Sequence, residues 1–155
     1  MDPKTLYWTF AFINMGCVVG LGLYGRAQQK AGNAKRHAIM MIAASCLVVG
    51  FLVSYGLKLA FLGREDLTLW THAALNTLRF HETCVLVMVV GGGLAIRWGR
   101  ALRKTRSYTL NPDDPSASES LVSRHHRAGQ VALVGAALGF ISSGFVLAGM
   151  YARLQ

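Results

Sequence analysis

Five histidines carry most of the coordination chemistry available to this chain of 155 residues. His37 follows a basic pair in KRHAIMM, His125 and His126 stand together in SRHHRAG, and His81 lies in LRFHETC between Arg79 and Glu82; His72 is the fifth. Neutral imidazole is the commonest protein ligand for transition metals and a frequent axial ligand of haem iron. Arginine matches carboxylates well, so Arg79 is suited to a haem propionate as well as to a neighbouring acid. Lys58, with Tyr55 one turn away, adds a cation near the same end of the molecule as His81. No nucleophile, base and orienting group stand at a spacing diagnostic of turnover, so an enzyme is not indicated.

The elements that hold these residues are read from hydropathy. Hydrophobic residues make up 53% of the chain and charged ones only 15%. A helix needs roughly 20 apolar residues to cross about 30 Å of hydrocarbon. Four segments qualify, at about residues 6–24, 37–62, 71–98 and 129–151, and they leave no soluble domain. The expected fold is all-α: an integral membrane four-helix bundle forming a single domain over residues 1–155. The first span lacks a basic leader and a clear small-residue cleavage site, and is read as a retained helix.

The net charge of +9 follows topology rather than nucleic acid. Arg26, Lys30, Lys35 and Arg36 fall in the first loop. Arg97, Arg100, Arg103, Lys104, Arg106, Arg124 and Arg127 flank or occupy the third, a polar loop over about 99–124. The second has Arg64 beside Glu65 and Asp66, and the termini carry Lys4 and Arg153. Positive charge concentrates in cytoplasmic loops, so both termini and the second loop are expected on the outer, periplasmic side. The basic loops would also suit anionic lipid. Cys17, Cys46 and Cys84 lie in three different spans without a CxxC pair, which argues against disulfide exchange and thiolate cages. Small residues mark packing faces: Gly16 with Gly20, and Gly135, Gly139 and Ser143 at four-residue spacing. They serve packing within the bundle or between two copies.

A rise of 1.5 Å per residue turns position into depth. His37, His125 and His126 open their spans on the cytoplasmic side. Lys58 lies about 31 Å beyond His37, and His81 about 25 Å before Trp98, so both are expected near the outer face. Two polar layers result. The inner one holds His37, His125 and His126, either as interfacial anchors or as ligands brought together by adjacent helices. The outer one holds Lys58, Arg79, His81 and Glu82, with His72 further out. Charges within spans are costly and pair, so Glu82 is expected to meet Lys58 or Arg79, as a structural tie or within a functional pocket. The triplet Gly91, Gly92 and Gly93 sits near the inner layer. It would admit either a neighbouring helix or the face of a porphyrin.

The runs RHAIMM, FLVSYGLK, RFHETCVLV and HHRAG together resemble the YozB/CtaM family of small bacterial membrane proteins, over residues 35–152. The resemblance implies a histidine-bearing inner-membrane protein linked to maturation of haem-copper respiratory oxidases, with haem b or copper as the expected cofactor. The matching positions are His37, His81 and His126, with His125 as a substitute. Lys58 stands where the family tends to place a further histidine, and ALVGAALGFISSG replaces a tryptophan-containing stretch. The leading expectation is a haem- or copper-binding protein assisting or accompanying an oxidase. A cofactor-free accessory subunit is the alternative. A small proton or solute transporter using His81 and Glu82 ranks third, since no broken-helix pair or inverted repeat is visible.

Overall fold

The computed structural model describes residues 2–68, 70–105 and 119–152. They form four helices: α1 (Pro3–Lys30), α2 (Ala34–Leu62), α3 (His72–Thr105) and α4 (Glu119–Tyr151). All four are long and apolar enough to cross a membrane. Residues 106–118 of the polar third loop, with Arg106, and the terminal Arg153 lie outside the described residues.

Local chemistry sets the boundaries. Asp2 caps α1 by accepting from the Thr5 amide at 3.1 Å, and Pro3 takes the first turn, where no amide hydrogen is needed. The helix ends at Gly32, whose φ of 76° few other residues tolerate. The Gly32 amide bonds the Gln29 carbonyl and the Asn33 amide bonds that of Gln28, closing a Schellman turn. Three residues therefore reverse the chain, and α1 and α2 become antiparallel neighbours. Gly63, at φ 70°, stops α2, and Thr71 caps α3 through the Ala74 amide at 3.2 Å. The helices outrun the expected spans. In particular α4 begins at Glu119, because nothing between it and residue 129 breaks a helix and an acid in the first turn suits the dipole.

Close backbone packing joins α1 to α2, α1 to α4, and α3 to α4. In space the order is α2–α1–α4–α3. The interior is thin. Val18, Met88 and Ala136 form its centre, with Ala44, Leu47 and Val48 of α2 and Val85 and Val89 of α3 packed on it. Large apolar side chains point outward instead, among them Phe10, Ile42, Val53, Phe61, Leu86 and Phe145. Such a surface is abnormal in water and ordinary in hydrocarbon.

Glycine allows the closest approaches. A Cβ on Gly135 would lie 2.9 Å from the Met88 amide nitrogen, and one on Gly91 would lie 3.0 Å from that of Ala132. The α3–α4 crossing thus requires bare backbone at both positions. The expected stripe holds at Gly135 and Gly139, but Ser142 rather than Ser143 is the buried hydroxyl. Gly16 meets the Phe140 ring while Gly20 meets nothing within 4 Å. The packed pair on α1 is Gly22 and Gly25, against Leu133 and against Met40 and Met41.

Candidate functional site

The antiparallel register gives the bundle a basic end, near the α1–α2 turn, and a terminal end, where Thr9 and Tyr151 hydroxyls meet at 2.8 Å. At the basic end His37 and His125 come together. Their ring centroids are 6.3 Å apart and their planes nearly perpendicular, at 88°. His37 Nδ1 lies 2.9 Å from the Gly25 carbonyl and His125 Nδ1 lies 2.9 Å from that of Ala95. A carbonyl only accepts, so each Nδ1 donates. In the neutral rings this puts the lone pair on Nε2, the tautomer used by metal-bound histidines whose other nitrogen is held by backbone. Gly99 makes room for the His125 ring, with its Cβ position 3.2 Å from Cε1.

His126 behaves differently. Successive residues on a helix diverge by about 100°, so His125 and His126 cannot both face His37. His126 is exposed, and its Nε2 accepts from the Gln29 side-chain amide at 2.8 Å. His125 is therefore the ring facing His37, and His126 stands beside it with centroids 6.0 Å apart. Nothing in the sequence singled out Gln29. Among the described residues no three His, Cys, Asp or Glu side chains form a metal-holding group.

The expected outer layer separates into two levels. His81 Nδ1 donates to the Gly139 carbonyl at 3.0 Å, beside Ser142 Oγ at 3.2 Å. Ser142 gives its own proton to the Leu138 carbonyl at 2.8 Å. A Cβ on Gly139 would meet the Met15 methyl at 3.2 Å, and Met15 is the middle of the apolar stretch 6–24. His81 and Glu82 thus lie at the level of Gly139 and Met15, a different level from Lys58.

Lys58 lies at the terminal end. It packs with Trp8, seven residues or about 10 Å along α1 from Met15. Only 3% of its surface is exposed. Its ammonium donates to the Gly63 carbonyl at 2.8 Å and pairs with Glu65. The same Glu65 oxygen accepts from the Trp8 indole at 2.7 Å, and the ammonium stands 5.4 Å from the Trp8 ring centre. The partner of Lys58 is therefore a loop acid rather than Glu82, and among the described residues Glu82 makes no ion pair with Arg79 either. The loop can supply it because Gly63 turns the chain back over the end of α2. Burial opposes ionisation of Glu65, but the hydrogen bonds from Lys58 and Trp8 outweigh it and hold the carboxyl below its ordinary range. Lys4 fastens the same loop through the Arg64 carbonyl at 2.8 Å. Tyr55 joins by ring contact, 5.9 Å from Trp8 and 6.2 Å from Phe51.

His72, Arg79 and Glu82 are exposed. The glycine triplet is divided: Gly91 is filled by the α4 backbone, whereas nothing lies within 4 Å of Gly92 or Gly93. An apolar groove of about 490 Å³ runs beside Gly91 between Leu86, Trp98 and Arg127, and neither His37 nor His125 lines it.

Compared with known proteins, the chain matches no family model, no curated protein and no solved structure.

Proposed function

We propose that this is a multi-pass protein of the bacterial inner membrane, with both termini on the periplasmic side, that binds a transition metal through His37 and His125. The observation that carries the reading is the pair of adjacent imidazoles whose Nδ1 atoms are both committed to backbone carbonyls. A centroid spacing of 6.3 Å is compatible with one ion between two rings at ordinary metal–nitrogen distances of about 2 Å. Imidazole suits copper and iron alike. Copper(I), which takes two ligands in line, needs only the pair. Haem b would also need flat space, and the triplet expected to provide it is closed at Gly91 by α4. Copper is accordingly the preferred cofactor. The resemblance to the YozB/CtaM family extends the proposal to assisting or accompanying a haem-copper respiratory oxidase.

Purified protein, expressed with copper and haem supplied, tests this through metal content and visible spectrum. Bound copper is expected in the wild type and in His126→Ala, and is expected to be lost in both His37→Ala and His125→Ala. A Soret band lost in those same two variants would move the assignment to haem. A colourless, metal-free protein would sink both forms.

A second reading has its own support. The histidine–carbonyl bonds also tie α2 to α1 and α4 to α3, which suits a cofactor-free accessory subunit of a larger membrane complex. Stable co-purification of metal-free protein with an oxidase would favour it.

A further inference from the structure

Arg79 and Glu82 are both exposed on α3, and among the described residues neither side chain has a hydrogen-bond or ion-pair partner. Their level is set by His81, which lies between them and bonds α4 at Gly139, whose Cβ position meets Met15 within the apolar stretch 6–24. Unpaired charge at such a depth is costly in hydrocarbon and is normally matched by a partner or by water. The α3 face that packs on α4 runs through Cys84, Met88 and Gly91. By helical periodicity Arg79, Glu82, Leu86, Val90 and Gly93 lie on the other side. Leu86 is 63% exposed and Val90 53%, and Gly93 has open space above its backbone. One face thus carries one cation and one anion a turn apart, followed by an apolar stretch and a bare glycine.

We infer that two copies of this chain associate through that face of α3, with each Arg79 paired to Glu82 of the partner subunit. A two-fold axis along the membrane normal brings a patch onto its own copy, so residue i meets j while j meets i. A patch with one charge of each sign at nearly the same depth is complementary to itself under that operation. Both charges of both copies are satisfied by two equivalent ion pairs. Gly93 lets the helices close below them, in the manner of small residues at membrane helix contacts. The inference does not depend on metal binding at His37 and His125.

The test uses the full chain reconstituted in lipid vesicles, with donor- and acceptor-labelled copies followed by energy transfer as lipid dilutes the protein. Wild type is expected to dimerise. Arg79→Glu and Glu82→Arg are each expected to weaken the dimer at least about tenfold, and the double exchange to recover most of that loss. A second measurement does not require the charge variants to fold. Cys17 and Cys46 are exposed on α1 and α2, away from the seam. Mild oxidation is therefore expected to leave wild type uncrosslinked and to give a disulfide-linked dimer for Leu86→Cys. Wild type monomeric at every dilution, a double exchange no better than the single variants, or no crosslink through Leu86→Cys would overturn the inference.

Discussion

The two ends of the bundle hold their polar groups in opposite ways. At the terminal end the charges are matched: the Lys58 ammonium has a carbonyl, a carboxylate and an aromatic face, and Glu65 Oε1 has two donors. At the basic end each of two imidazoles uses one nitrogen on a carbonyl and keeps the other. A cluster of matched charges is a fastening. A cluster of two adjacent imidazoles, each with a spare lone pair, can still take something in. Both ends look alike as sequence, a scatter of ionisable residues near helix ends, and only the partner count separates them.

The largest effect should come from breaking the fastening on one side. Glu65→Ala leaves a buried lysine uncompensated and is expected to cost about 3–5 kcal/mol. Replacing both partners, as Lys58→Met with Glu65→Leu, should restore most of that loss. Thermal unfolding in detergent, followed by helical circular dichroism, measures both. A double variant as unstable as the single one would mean the pair does more than hold the loop.

Next is the α3–α4 crossing that carries His125. Gly135→Ala sets a methyl against the α3 backbone and is expected to destabilise by about 1–3 kcal/mol. Gly92→Ala meets nothing and gains helix propensity, so it should stabilise by up to about 1 kcal/mol. Equal melting temperatures for the two variants would contradict the close approach.

Acid should also distinguish the ends. The Glu65 carboxyl is held below its ordinary range when folded, so its contribution is fully present above that range. It is lost as pH falls through the range and then through the lower folded value. A stability profile on the acid side should therefore flatten in Glu65→Gln relative to wild type, and an unchanged slope would remove Glu65 as its source. The smallest effect is expected at the exposed ring. His126→Ala, which gives up one exposed contact with Gln29, should change stability by no more than about 0.5 kcal/mol.

Four helices were legible because about 20 apolar residues between polar segments have few other uses. The inner histidine layer was legible as a layer, since His37 and His125–His126 each open a span after basic residues. Which of the adjacent pair faces His37 was not, because it depends on the rotation of α4, set by Gly91 and Gly135 against α3. The level of His81 relative to Lys58 was not legible, because it rests on the register between helices. The register that places it comes from Met15 and Gly139, residues 124 positions apart in the chain. Lys58 was expected to find an acid in a neighbouring helix, but Gly63 returns the loop and supplies Glu65 from seven residues away. On α1 the conspicuous Gly16–Gly20 spacing drew notice while Gly22 and Gly25 made the tighter contacts. Spacing alone does not say which face a neighbour covers.

The packing order α2–α1–α4–α3 has a consequence for how the molecule is made. A ribosome delivers α1 and α2 before α3 and α4, and their three-residue turn lets them pair at once. The third helix then emerges with no extensive backbone partner among the first two. The acceptor for its His81, the Gly139 carbonyl, is translated 58 residues later. Until α4 enters the bilayer, the newborn chain is one finished hairpin and one lone helix with an unanchored imidazole. The fourth helix is the one that turns two pieces into a single body.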